Sequence, residues 1–188
     1  MNIQTLVVGA MATNCYLVDG MIIDPGDDAE YIMSHISTRP KMIVATHGHF
    51  DHIIAAYALQ LAYNIPFYIH KDDIFLLSRM QSSAKHFLGL RHVDPPPTPT
   101  EIRDIPFIHT PGHTPGSICL YFKKDNILFS GDTIFADGAV GRTDHQYSRK
   151  FDLSRSIQTI LSLPPETKIC PGHGGETTVL FALQYHKR

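Results

Sequence analysis

The amino-acid sequence predicts an α/β fold in one domain over residues 1–188. Strand-like and helix-like segments alternate along the first half, and the second half is mostly strand-like. A chain of 188 residues, 43% of them apolar, is long enough to bury a real core. No apolar run approaches the length of a membrane span.

Ile3–Val8, Cys15–Asp19 and Met21–Asp24 read as short strands. Asp27-Asp28 can cap a helix whose apolar positions are Tyr31, Ile32 and Ile36. A strand over 42–46 and a mostly buried helix over 53–63 follow, then a strand at Phe67–His70. From 71 to 90, apolar residues at 74, 77, 80, 84, 87 and 88 keep helical spacing, which suits core packing or a wall of a site. Asp94 to Thr100 is rich in proline and reads as a rigid surface crossing. Ile105–Thr110, Ser117–Lys123 and Ile127–Ser130 read as strands, the last two joined by a turn at Lys124-Asp-Asn126. A helix over 152–163 with Leu153, Ile157, Ile160 and Leu161 on one face, a strand at Thr167–Cys170 and a helix over 178–186 complete the order. There is no readable internal repeat.

Sixteen basic and eighteen acidic residues leave a formal charge of −2, which argues against a nucleic-acid surface. Cys15, Cys119 and Cys170 are widely spaced in apolar stretches and read as buried free thiols, as expected in the cytoplasm. The N-terminal segment, with no basic leader, reads as strand and not as a signal peptide. Twelve histidines are more than bulk composition explains.

Residues 47–52 read His-Gly-His-Phe-Asp-His and place four metal-ligand types in six positions. A helix would fan these side chains around its axis, and a strand would send His52 to the other face. A turn that leaves a strand and enters a helix can converge them. Three later strand-like runs each end in glycine beside one His or Asp: Thr-Pro-Gly-His113, Phe-Ser-Gly-Asp132 and Cys-Pro-Gly-His173. The seven candidates are then His47, His49, Asp51, His52, His113, Asp132 and His173. One tetrahedral zinc needs three or four ligands. Seven suit two divalent ions that share a carboxylate, with a net positive site that would attract an anionic substrate. Zinc is the expected metal; iron and manganese fit the same ligand types.

Thr-His-Gly-His-Phe-Asp-His at 46–52 resembles the T-H-x-H-x-D-H signature of the metallo-β-lactamase superfamily. Ile-Ile-Asp24-Pro-Gly, Thr-Pro-Gly-His113-Thr-Pro-Gly-Ser, Ser-Gly-Asp132-Thr-Ile-Phe and Pro-Gly-His173-Gly resemble its other motifs, in the same order. The resemblance covers nearly the whole chain. It implies a four-layer αββα sandwich of two mixed sheets flanked by helices. It also implies that His47, His49 and His113 hold one metal, that Asp51, His52 and His173 hold a second, and that Asp132 bridges them. Asp24 is similar to an aspartate that supports the first histidines from behind. Gly141-Arg-Thr-Asp144 and the ending Pro-Gly-His173-Gly-Gly-Glu resemble compact members of the glyoxalase II group.

That group implies hydrolysis of a small thioester of the S-lactoylglutathione type by a hydroxide between the metals, with Asp51 and Asp132 catalytic. A mononuclear-iron persulfide dioxygenase, with iron on His49, His113 and Asp132, is the alternative on the same scaffold. A promiscuous hydrolase acting on β-lactams or phosphodiesters is another. The chain lacks the C-terminal helical domain with which larger glyoxalase II enzymes bind glutathione. After Gly-Arg-Thr-Asp it continues His145-Gln-Tyr-Ser148 instead of a Pro-Gly turn, and the stretch from 98 to 108 looks shortened. These departures fall near the substrate mouth. Arg142 is the candidate for gripping a substrate carboxylate, or else forms a salt bridge to Asp144, and His145 and Tyr147 are candidates for the mouth. No partner other than the small thioester is implied, and oligomeric state is not readable.

Overall fold

The computed structural model describes residues 1–102 and 105–186. Residues 103 and 104, inside the stretch read above as shortened, lie outside the described residues. The chain divides into two compact units, residues 1–102 and 103–188.

The first unit is a six-stranded mixed sheet in the order β1-β2-β3-β4-β5-β6. Strands β1 (Ile3–Val8), β2 (Thr13–Val18) and β3 (Met21–Ile23) are antiparallel neighbours. Strands β4 (Met42–Val44), β5 (Phe67–Ile69) and β6 (Pro99–Glu101) continue in parallel from β3. Parallel neighbours need helical crossovers. The crossovers here are α1 (Ala29–His35), α2 (Ala56–Tyr63), and the pair α3 (Ile74–Leu77) and α4 (Met80–Leu88). Ile22, Ile43, Phe67, Ile69 and Leu59 form part of its core and are fully buried.

The first unit departs from the sequence expectation in four places. The proline-rich segment ends as strand β6; proline is tolerated there because β6 is the sheet's edge. The helix expected from 71 to 90 is broken into a 3-10 turn, Lys71–Asp73, then α3 and α4. The helix expected from 53 begins at Ala56, after a 3-10 turn at Phe50–His52. Asp28 sits at the N-cap of α1 but does not cap it with its side chain, which instead accepts the Gly9 N–H at 2.8 Å.

The second unit is a five-stranded mixed sheet in the order β11-β10-β9-β8-β7. Strands β7 (Phe107–His109), β8 (Ile118–Phe122) and β9 (Ile127–Gly131) form an antiparallel meander. Asn126 takes the left-handed conformation that the β8–β9 turn needs. Helix α5 (Lys150–Leu161) carries the chain to β10 (Lys168–Pro171), parallel to β9, and β11 (Thr177–Thr178) leads into α6 (Val179–His186). Leu153, Ile157 and Ile160 of α5 pack with Leu128, Ile134, Ile169 and Val179. Strand β11, two residues long, was not legible in the sequence. No helix among the described residues is long and apolar enough to cross a membrane.

All three cysteines are buried free thiols. Burial raises each thiol's pKa, Cys119 from 9.0 to about 11 and Cys170 from 9.0 to about 12, with Cys15 also driven up. The fold therefore favours the neutral thiol. Its contribution to stability is intact below about pH 9, where an unfolded thiol begins to ionise, and is lost as pH rises toward 11 to 12. Denaturant midpoints should fall above pH 9, and replacing Cys119 with alanine should flatten that decline. Leu59→Ala, at a fully buried site on α2, should lower stability by about 2–5 kcal/mol in urea unfolding.

Candidate metal centre

In the first unit the ligand-type residues leave the C-terminal end of β4 and enter the 3-10 turn at Phe50–His52. The buried Asp24, just past β3, sits behind them in the left-handed conformation, φ 51°, which aspartate tolerates better than most residues. Its Oδ1 accepts the Thr46 backbone N–H at 2.7 Å. Its Oδ2 accepts the Thr46 hydroxyl at 2.7 Å and His52 Nδ1–H at 3.0 Å.

These bonds set tautomers. A carboxylate only accepts, so His52 is protonated on Nδ1 and presents Nε2 as a lone pair. The Thr46 hydroxyl spends its hydrogen on Asp24, so at 3.1 Å it accepts from His47 Nδ1. With Nδ1 the donor, His47 Nε2 accepts from His49 Nδ1–H at 3.1 Å. The resemblance implied that Asp24 supports the first histidines. In the structure it bonds His52 directly and reaches His47 through Thr46.

Two further contacts hold this loop. The buried carboxylate of Asp73 accepts the Gly48 N–H at 2.8 Å. Sequence reading missed Asp73, and only the acidic pair Asp72-Asp73 before an apolar run could have hinted at it. Gly26 packs on the loop so closely that a Cβ there would lie 1.9 Å from the Asp51 carbonyl oxygen.

In the second unit, His113 lies beyond β7, Asp132 follows β9 and His173 follows β10. His113 is 3% exposed, and its Nδ1 donates to the Arg142 carbonyl at 2.9 Å. Its Nε2 therefore carries the lone pair, 3.6 Å from Asp132 Oδ2. The other oxygen, Oδ1, lies 3.6 Å from His173 Nε2. One carboxylate is thus flanked by two imidazoles, one for each oxygen. Ser148 donates to the His113 carbonyl at 2.7 Å, and Ser156 on α5 donates to the Pro111 carbonyl at 2.7 Å, so α5 fixes this loop. Gly141 has no room for a side chain: a Cβ would lie 2.0 Å from the Asp132 carbonyl oxygen.

The donor set fits a metal. His52 Nε2 faces Asp51 Oδ2 at 3.7 Å, as His113 and His173 face Asp132 at 3.6 Å. These gaps are too long for hydrogen bonds. They are close to the ~3.4 Å expected between ligand atoms around an ion bound at about 2.1 Å. Imidazole and carboxylate donors suit zinc, iron and manganese alike.

The candidate substrate residues lie in the same unit as His113. The Arg142 guanidinium is engaged by Asp144 through two bonds, Nε at 3.0 Å and Nη2 at 2.6 Å. Those hydrogen bonds hold the Asp144 carboxyl down at about 2 and raise the arginine. The salt-bridge alternative is therefore present, and Arg142 orients His113 through its main chain. The His145 ring stacks on Tyr147, centroids 5.2 Å apart and 9° from parallel, and stands edge-on to His113 at 6.4 Å.

The family model described as the metallo-beta-lactamase superfamily matches residues 8–173. An uncharacterized protein of Aquifex aeolicus (strain VF5) is 36% identical, over 95% of this chain and 92% of its own. The hydroxyacylglutathione hydrolase GloC of Haemophilus influenzae is 32% identical, over 95% of this chain and 93% of its own. Among solved structures, TTHA1623 in a di-iron-bound form superposes with a TM-score of 0.90 at 33% identity, covering 97% of this chain and 98% of that one. The BLEG-1 B3 metallo-beta-lactamase gives a TM-score of 0.84 at 31% identity, covering 97% of each. The two mixed sheets with flanking helices match the fold of these neighbours, as the sequence motifs implied.

Asp24→Ala would strand three buried donors. The expected loss of stability is about 2–4 kcal/mol in urea unfolding, and Asp24→Asn should recover part of it.

Proposed function

Since the chain belongs to the metallo-β-lactamase superfamily of metal-dependent hydrolases, we propose that it hydrolyses small thioesters of the S-lactoylglutathione type with two bound divalent ions. The observation that carries this reading is the Asp132 carboxylate, with His113 facing one oxygen and His173 the other. In this reading His47, His49 and His113 hold one ion, Asp51, His52 and His173 hold the other, and Asp132 joins them. The family model matches residues 8–173, a span that includes all seven. The hydroxyacylglutathione hydrolase of H. influenzae supports the substrate class, and the di-iron form of TTHA1623 supports two ions and admits iron beside zinc.

Bound divalent ions make hydroxide available near neutral pH and polarise a carbonyl. The chain's own part is to present and orient. Asp24 and Thr46 fix the ring tautomers of His52 and His47, and the Arg142 carbonyl fixes that of His113. Asp51, besides holding an ion, orients the attacking water. Arg142 takes a substrate carboxylate by exchanging it for Asp144 in a bidentate pair. The His145–Tyr147 stack lines the mouth. A β-lactamase side activity is a second reading, favoured by the 31% identity to BLEG-1.

Metal-loaded protein should hydrolyse S-lactoylglutathione without sulfide-dependent oxygen uptake. Oxygen uptake without hydrolysis would overturn the reading in favour of a dioxygenase. Asp132→Ala should lower hydrolysis by more than about a hundredfold while circular dichroism stays native, and wild-type turnover in that variant would remove Asp132 from the site. The rate should climb as pH rises to about 7, the range of zinc-bound water; a profile flat from about pH 5 to 9 would contradict a hydroxide nucleophile.

A further inference from the structure

Asp73 stands at the N-cap of α3. A carboxylate at that position ordinarily accepts an N–H of its own helix. Asp73 makes no such bond. Its Oδ2 instead accepts the Gly48 N–H at 2.8 Å, across 25 residues of sequence. The side chain is fully buried. Burying a polar group is costly unless it is hydrogen-bonded. A buried carboxylate that forgoes its own helix for this amide therefore serves the loop rather than α3.

Gly48 is the single residue between His47 and His49. A Cβ on it would lie 2.9 Å from Leu76 Cβ and 3.0 Å from the Asp73 carbonyl oxygen. The loop thus rests on the start of α3 with no room to spare, and the Asp73 bond holds it there. The support is itself anchored, since the Asp73 N–H donates to the His70 carbonyl at 3.0 Å. On either side of the held peptide, His47 Nε2 and His49 Nδ1 lie 3.1 Å apart. Two rings keep such a relation only while the main chain between them keeps its path.

We infer that Asp73 is a positioning residue: by fixing the Gly48 main chain it sets how tightly His47 and His49 take up an ion. The inference rests on the metal reading of those two histidines and adds a support that touches neither ring's ligand role directly.

The test reads zinc affinity of chelator-stripped full-length protein by competition with a chromophoric chelator, at a temperature where circular dichroism shows every variant folded. Asp73→Ala should weaken at least one binding step about tenfold, the lower end of what outer supports of metal ligands contribute. Asp73→Asn keeps an oxygen for the Gly48 N–H and should recover most of the affinity. Gly48→Ala leaves Asp73 in place but pushes the loop off α3, and should weaken zinc as Asp73→Ala does; it carries the same test if Asp73→Ala does not fold. Ile32→Ala, at a fully buried site on α1, should lower the melting temperature and leave zinc affinity unchanged. Wild-type affinity in Asp73→Ala or Gly48→Ala overturns the inference, as does a loss in Asp73→Asn as deep as that in Asp73→Ala. An equal loss in Ile32→Ala assigns the effect to stability alone and overturns it too. Failure of the metal reading shows itself separately, as wild-type protein that takes up no zinc.

Discussion

The buried carboxylate of Asp24 is the constraint on which the His- and Asp-bearing loop of the first unit depends. It accepts two bonds from Thr46 and one from His52. Stranding buried donors costs about 1–3 kcal/mol, a sizeable fraction of ordinary domain stability. The three bonds tie the end of β3 to the end of β4 and to the turn that carries Asp51 and His52. They also decide chemistry. With Nδ1 of His52 committed to Asp24, and Nδ1 of His47 committed to Thr46, both rings turn Nε2 away from their support. A folding interaction and a ligand-orienting interaction are the same interaction.

The second unit reaches a similar result by other means. There a main-chain carbonyl, that of Arg142, commits His113 Nδ1. The loop bearing that carbonyl approaches so closely that only glycine fits at 141. In both units ring nitrogens are left facing carboxylate oxygens at 3.6–3.7 Å. Such spacing leaves room for a cation between each ring nitrogen and its carboxylate oxygen.

Much of this was legible in the sequence because the ligand types are chemically loud. Four of them in six residues cannot share one regular element, which points to a turn between β4 and α2, and a turn is what Phe50–His52 forms. Glycine beside His113, Asp132 and His173 marked three more strand ends. What stayed hidden depends on chain segments meeting across long separations. Asp73 supports Gly48 from 25 residues away. The role of Arg142 toward His113 lies in its carbonyl, which every residue possesses. Strand β6 was masked by prolines that are admissible only at a sheet edge. The break between α3 and α4 has no glycine or proline to announce it.

If the seven His and Asp side chains act as one dinuclear set, the stoichiometry of metal uptake tests it most directly. Protein stripped by a chelator and titrated with zinc or ferrous ion under anaerobic conditions should take up two ions per chain. Uptake that ends at one ion per chain for each metal would contradict the shared role of Asp132 and the division of ligands built on it.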